Sequence, residues 1–219
     1  MEPKLLDPAL FPTLGHHELR IICAFAIVTG VIVGVGALLA LHLLPTGMSV
    51  TQSPILLYGY STFPWVHRIY ATGFGLAGIA ASVATHLGSH INLSPWGWFA
   101  GFAAAEFLDG WLPRDKPDIP AVYSNRVRVI LFPIAIYYLI FCFFDTNRIA
   151  KTSGSTTVVN FAHDVTALLI LSLVFLTGAG LRDVLTKYEG VNWYCIFERF
   201  ILFVSMPSIL LITAFTISR

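Results

Sequence analysis

The sequence predicts an all-α integral membrane protein, a bundle of six transmembrane helices with both termini on the same side. Three observations lead there. Of 219 residues, 56% are hydrophobic and only 11% are charged, whereas a soluble domain carries about 25% charged residues; the chain lacks the polar surface to face water on all sides. Six stretches are apolar over about the 20 residues that a helix needs to cross a hydrocarbon core roughly 30 Å thick. The segments between them are too short to form a separate soluble domain, so residues 1–219 read as a single transmembrane domain.

The spans run over about 21–44, 66–87, 95–112, 127–144, 157–181 and 194–217. Helices are the reasonable spanning element, because lipid offers backbone polar groups no partners. Before the first span, Pro3, Pro8 and Pro12 interrupt a stretch of scattered charges. A secretory signal would instead have a basic start and an apolar core, so the first span is expected to be retained. The second carries Gly73, Gly75 and Gly78. The third opens on Ser94-Pro95, an N-cap followed by proline at the first helical position. It stops at Pro113–Pro120, where three prolines prevent a helix from continuing. Lys151–Thr156 reads as a polar loop before the fifth span. Pro133 and Pro207 lie within the fourth and sixth spans and are expected to bend them. Gly30 with Gly34, and Gly97 with Gly101, are spaced four apart, which lets helix backbones approach closely in lipid. Trp96, Trp98, Trp111 and Trp193 fall at span ends, as an interfacial aromatic belt would place them.

Charge and cysteine usage narrow the function. A net charge of +1 provides no basic footprint, so nucleic acid is not an expected partner. Cys23, Cys142 and Cys195 lie in or beside apolar runs without metal spacing, and read as packing residues. With the N-terminal side called A and the opposite side B, six spans put Lys4, Arg20, Arg148, Lys151 and Arg219 on side A. Side B receives Arg68, Arg114, Lys116, Arg126, Arg128, Arg182 and Lys187. That balance leaves the orientation open.

Two sets of ionisable residues are the candidates for chemistry, since such groups are costly within spans. On side B, Glu106 and Asp109 share a face of the third helix, with Glu106 about 9 Å back from Leu112 at 1.5 Å per residue. His42, His67, Arg68, Arg126 and Arg128 should lie at the same level, with Ser61 and Thr62 in the first loop. The set could bind a head group, relay protons or act as acid and base. It could equally be an interfacial salt-bridge cluster that pins helix ends and snorkels outward. On side A, His86 and His90 are spaced four apart, and the fifth helix enters with His163 and Asp164. That set could ligate a metal or a tetrapyrrole, or consist of isolated polar contacts. Combining His86 and His90 with Glu106 is excluded, because the two sets belong to opposite membrane faces.

The stretch Gly110-Trp111-Leu112-Pro113-Arg114-Asp115-Lys116-Pro117 resembles the end of the third helix in a prokaryotic membrane family called Domain of Unknown Function 998. The shared pattern is glycine, an apolar pair, proline, any residue and aspartate. The loop from Ser53 to Trp65, the Gly/Ala-rich segment Gly73–Ala81 and the six-span layout agree with that family. The chain departs from it at Ser53-Pro54-Ile55-Leu56-Leu57-Tyr58, where the family has an Ile-Ser-Asp-Leu-like element. It departs again at Asn125-Arg126-Val127-Arg128, where a histidine often opens the fourth helix. The resemblance implies the fold and a prokaryotic cytoplasmic membrane, and carries no activity.

Three function classes follow. The first is a non-catalytic accessory or structural subunit of a larger membrane complex, packed against other membrane subunits and against lipids or pigments. It is favoured over an enzyme because neither cluster forms a complete catalytic motif. The second is a small transporter or lipid-handling protein using Glu106, Asp109 and Arg126. Ile27–Leu41 offers few polar side chains, which favours lipid handling over ion conduction. The third is a membrane metalloenzyme or tetrapyrrole binder using His86, His90 and His163. Bound lipid or pigment is the open choice of cofactor, with no motif that selects one.

Overall fold

A computed structural model describes residues 15–49, 53, 55–59, 61–88, 95–111, 154–186 and 193–218. Within 134–151 it describes residues 134, 135, 137–142, 144, 146, 148, 150 and 151. Among these residues all regular structure is helical: α1 (His16–Leu43), α2 (Ile55–Tyr58), α3 (Pro64–Gly88), α4 (Pro95–Trp111), α5 (the helical residues within 134–151) and α6 (Thr156–Thr186). A last run joins α7 (Trp193–Phe200), a π-helical turn (Ile201–Ser205) and α8 (Met206–Ile217). Among the described residues, three helices are long and apolar enough to cross a membrane, over His17–Leu43, Thr156–Ala179 and Cys195–Ile217. α4 is described over 17 residues, about 26 Å at 1.5 Å per residue. α3 has 25 residues but is rich in glycine, alanine and threonine, with His67 and Arg68 near its start and His86 near its end.

α3 is the centre of the bundle, and its glycines explain why. A Cβ placed on Gly30 would lie 2.6 Å from the Gly73 carbonyl oxygen, and one on Gly73 would lie 2.7 Å from the Gly34 nitrogen. α1 and α3 therefore cross antiparallel with their backbones in contact, the seam expected of glycines spaced four apart. On another side of α3, Gly75 meets the Phe107 ring, Gly78 meets Ala103, and Ser82 donates to the Trp96 carbonyl at 2.7 Å. Those contacts set α4 antiparallel to α3. The second expected pair is realised only in half. Gly101 seats the Tyr138 ring of α5, whereas no described atom lies within 4 Å of a Cβ built on Gly97.

α8 returns along α1 and α3, and the buried Thr146 and Thr213 hydroxyls join α5 to α8 at 3.1 Å. Pro207 has no N–H to give the Phe203 carbonyl. The helix meets that demand with the wide turn Ile201–Ser205 directly before it. Pro133 lies outside the described residues. The helix expected over 127–144 continues past Phe144, since residues 146, 148, 150 and 151 are also helical. The apolar run stops first, and the break comes later, near Gly154 in the left-handed region at φ 67°. The three cysteines are buried thiols. α6 is the peripheral element: it packs on α7 and α8, with Phe175 stacked on Phe197 at 5.1 Å, while Phe161, Leu168, Ile170, Leu171 and Val174 are exposed.

Candidate functional site

Where α1 ends and α3 begins, helical spacing gathers polar side chains on inward faces. His67, Tyr70 and Phe74 recur at three- and four-residue steps and form a ladder of rings, with centroids 5.3 and 5.5 Å apart. Opposite them, Glu106 and Asp109 share a face of α4. His67 Nε2 lies 3.5 Å from Asp109 Oδ2, and the buried Tyr70 lies beside the Glu106 carboxyl. His67 is 1% exposed and Glu106 5%. The expectation that this cluster snorkels outward therefore fails for its centre. Helix–helix contact through Gly75, Gly78 and Gly110 closes α3 on α4 over His67 and Glu106, while Asp109 stays 19% exposed at the rim. Glu106 Oε2 has no hydrogen-bond partner among the described residues.

A second node completes the layer from α7. Glu198 and Arg199 are 2% and 8% exposed. Glu198 Oε2 accepts the Ile55 backbone N–H at 2.9 Å, which holds the first turn of α2. Arg199 donates from Nε to His42 Nε2 at 2.9 Å, from Nη1 to the Cys195 carbonyl at 2.8 Å and from Nη2 to the Ser53 carbonyl at 2.8 Å. Nη2 also reaches the Tyr58 hydroxyl at 3.4 Å. A guanidinium can only donate, so His42 Nε2 accepts. His42 Nδ1 then carries the proton that it gives to the Leu38 carbonyl at 2.7 Å. Tyr58 stacks on His42 at 5.3 Å. The first loop is thereby clasped over the end of the bundle.

Of the expected side B residues, the structure unites His67, Glu106 and Asp109, and places His42 in the clasp. Arg68 turns outward, exposed, with its guanidinium 5.4 Å from the centre of the Trp111 ring. Arg126 and Arg128 lie outside the described residues. Glu198 and Arg199 were not anticipated. Their signal was an acid–base pair four residues into a span that is otherwise apolar to its end. On side A, His86 is exposed and meets Trp96 edge-on at 5.9 Å. His163 and Asp164 are exposed on α6, and His90 lies outside the described residues. Among the described residues, no group of three His, Cys, Asp or Glu side chains is arranged to hold a metal ion.

The layer is acid-rich and largely shut off from solvent. Chemically it can bind a positive group, a proton or an ammonium, at Glu106, with Arg199 already committed to the loop. No protein-family model, no curated protein and no solved structure matches this chain.

Proposed function

We propose that the chain is a small lipid-handling transporter with six spans and both termini on one side. Its place is a prokaryotic cytoplasmic membrane, as the likeness to Domain of Unknown Function 998 implies. One observation carries the proposal: among the described residues, a buried Glu106 carboxyl oxygen lacks a hydrogen-bond partner within an acid-rich layer. A lone polar atom in a low-dielectric interior is costly unless something binds it, and ionisable residues within spans mark transport pathways and proton relays. Glu106 is the binding group for a proton or for the ammonium of a phospholipid head group. Asp109 and Tyr70 position it, and the Arg199 clasp controls access.

Proteoliposomes test this directly. With acyl-labelled fluorescent phosphatidylethanolamine, the wild-type chain should speed exchange between leaflets, read as loss of the dithionite-protected signal. Glu106→Gln should lower that rate at least tenfold while thermal stability in detergent is retained. Exchange no faster than in protein-free vesicles, or a Glu106→Gln rate equal to wild type, sinks the proposal.

A second reading, the accessory subunit of a membrane complex, has one observation in its favour. The apolar side chains of α6 are exposed along much of the helix, a face that partner helices could cover as readily as lipid. Purification from native membranes in mild detergent, with identification of co-migrating proteins, decides it. Monomeric, partner-free material would remove it.

A further inference from the structure

An open groove of about 830 Å³ runs between α1 and α3, with Trp111 of α4 at one end. Its floor is the glycine crossing at Gly30 and Gly73, where the two backbones meet with no side chain standing above them. Its lining extends along α3 from Trp65 to Ala80, and the stretch from Arg68 onward is about 18 Å long at 1.5 Å per residue. One leaflet of a hydrocarbon core is about half of 30 Å deep. The groove thus has the length of one acyl chain.

One end of the groove carries an arginine and two tryptophans. Trp111 Nε1 donates to Thr72 Oγ1 at 3.0 Å, which fixes the indole, and the Arg68 guanidinium sits 5.4 Å from that ring's centre. Trp65 stands beside it, exposed. No described carboxylate forms an ion pair with Arg68, so its donors are available to a phosphodiester. Two tryptophans and an arginine at one end of an apolar groove match a membrane interface.

We infer that this groove binds an anionic glycerophospholipid, such as phosphatidylglycerol, with its phosphate on Arg68 and one acyl chain over Gly30 and Gly73. The site rests on reading the chain as a membrane protein. It lies on the lipid-facing side of α3, whereas Glu106 faces inward, so the groove can be occupied whether or not the chain moves lipid.

Brominated lipids provide the test, because bromine quenches tryptophan on contact. In a variant carrying Trp96→Phe, Trp98→Phe and Trp193→Phe, only Trp65 and Trp111 report. Titrated into phosphatidylcholine bilayers, brominated phosphatidylglycerol should quench them with about fivefold higher apparent affinity than brominated phosphatidylcholine. That is the scale set by one basic side chain near an anionic lipid. Arg68→Gln should abolish the preference and Arg68→Lys should retain part of it. Equal quenching by both lipids in the Arg68 protein overturns the site. Quenching by neither, as a partner helix seated in the groove would produce, overturns it too. Failure here with intact leaflet exchange rejects the groove alone, and lipid preference without exchange rejects the transporter alone.

Discussion

Histidines and acids occur at both ends of the bundle, yet the two sets have opposite environments. Where α3 begins, His67 and Glu106 are buried and joined to Tyr70 and Asp109. At the other end of α3, His86 is exposed, as are His163 and Asp164 on α6. Residue type and closeness to a span end are alike in both sets. Coverage differs. The first set lies between α3 and α4, which glycines bring into contact, at the end of the bundle where Arg199 and Glu198 hold the first loop in place. For the second set, α6 packs on α7 and α8 at the margin of the bundle. A polar side chain in a membrane helix becomes part of a site when a neighbouring backbone comes close enough to cover it.

The largest test of that contrast is Arg199→Ala. It removes hydrogen bonds to His42, Cys195, Ser53 and Tyr58 and leaves buried Glu198 without its neighbouring positive charge. Breaking a buried charged network in this way destabilises by about 3–5 kcal/mol. The thermal midpoint in detergent should fall sharply, and the Ile55 amide should lose hydrogen-exchange protection. An unchanged midpoint would mean that the clasp contributes little and that burial at this end has another cause.

A smaller effect separates the two kinds of glycine. Gly73→Leu forces a side chain into the backbone of α1, and overpacking of this sort costs about 1–3 kcal/mol. Gly97→Leu meets no described atom within 4 Å of the new Cβ and should stay within about 0.5 kcal/mol of wild type. Chemical unfolding of both variants in the same detergent checks the pair. Equal losses would show that glycine spacing, rather than contact, decides stability.

The helical class and most element bounds could be read from the sequence because apolar length is a local property. The apolar stretches at 66–87 and 194–217 correspond closely to the helical segments Pro64–Gly88 and Trp193–Ile217. The turn before Pro207 was legible only as a bend, since proline reveals the missing donor but not how the helix absorbs it. His67, Glu106 and Asp109 could be grouped because helix direction assigns them to one level. Arg68 could not be separated from His67: adjacent residues differ by about 100° around a helix, and which one faces inward depends on where α4 lies. Glu198 and Arg199 escaped because their partners, Ile55, Ser53 and His42, are more than 140 positions away. No local pattern marks such a clasp.

The smallest expected effect belongs to the exposed end. His163→Ala and Asp164→Asn alter side chains that α6 presents outward, and substitutions at such positions change stability by no more than about 0.5 kcal/mol. The same logic bears on ligation. A metal needs several donors converging within about 2 Å of one point, and His86 already turns its ring edge to Trp96. Zinc added to the purified protein should therefore leave the thermal midpoint unchanged, with or without His163. A zinc-dependent rise lost in His163→Ala would reverse the contrast between the two ends, making the exposed end the site and the buried layer its support.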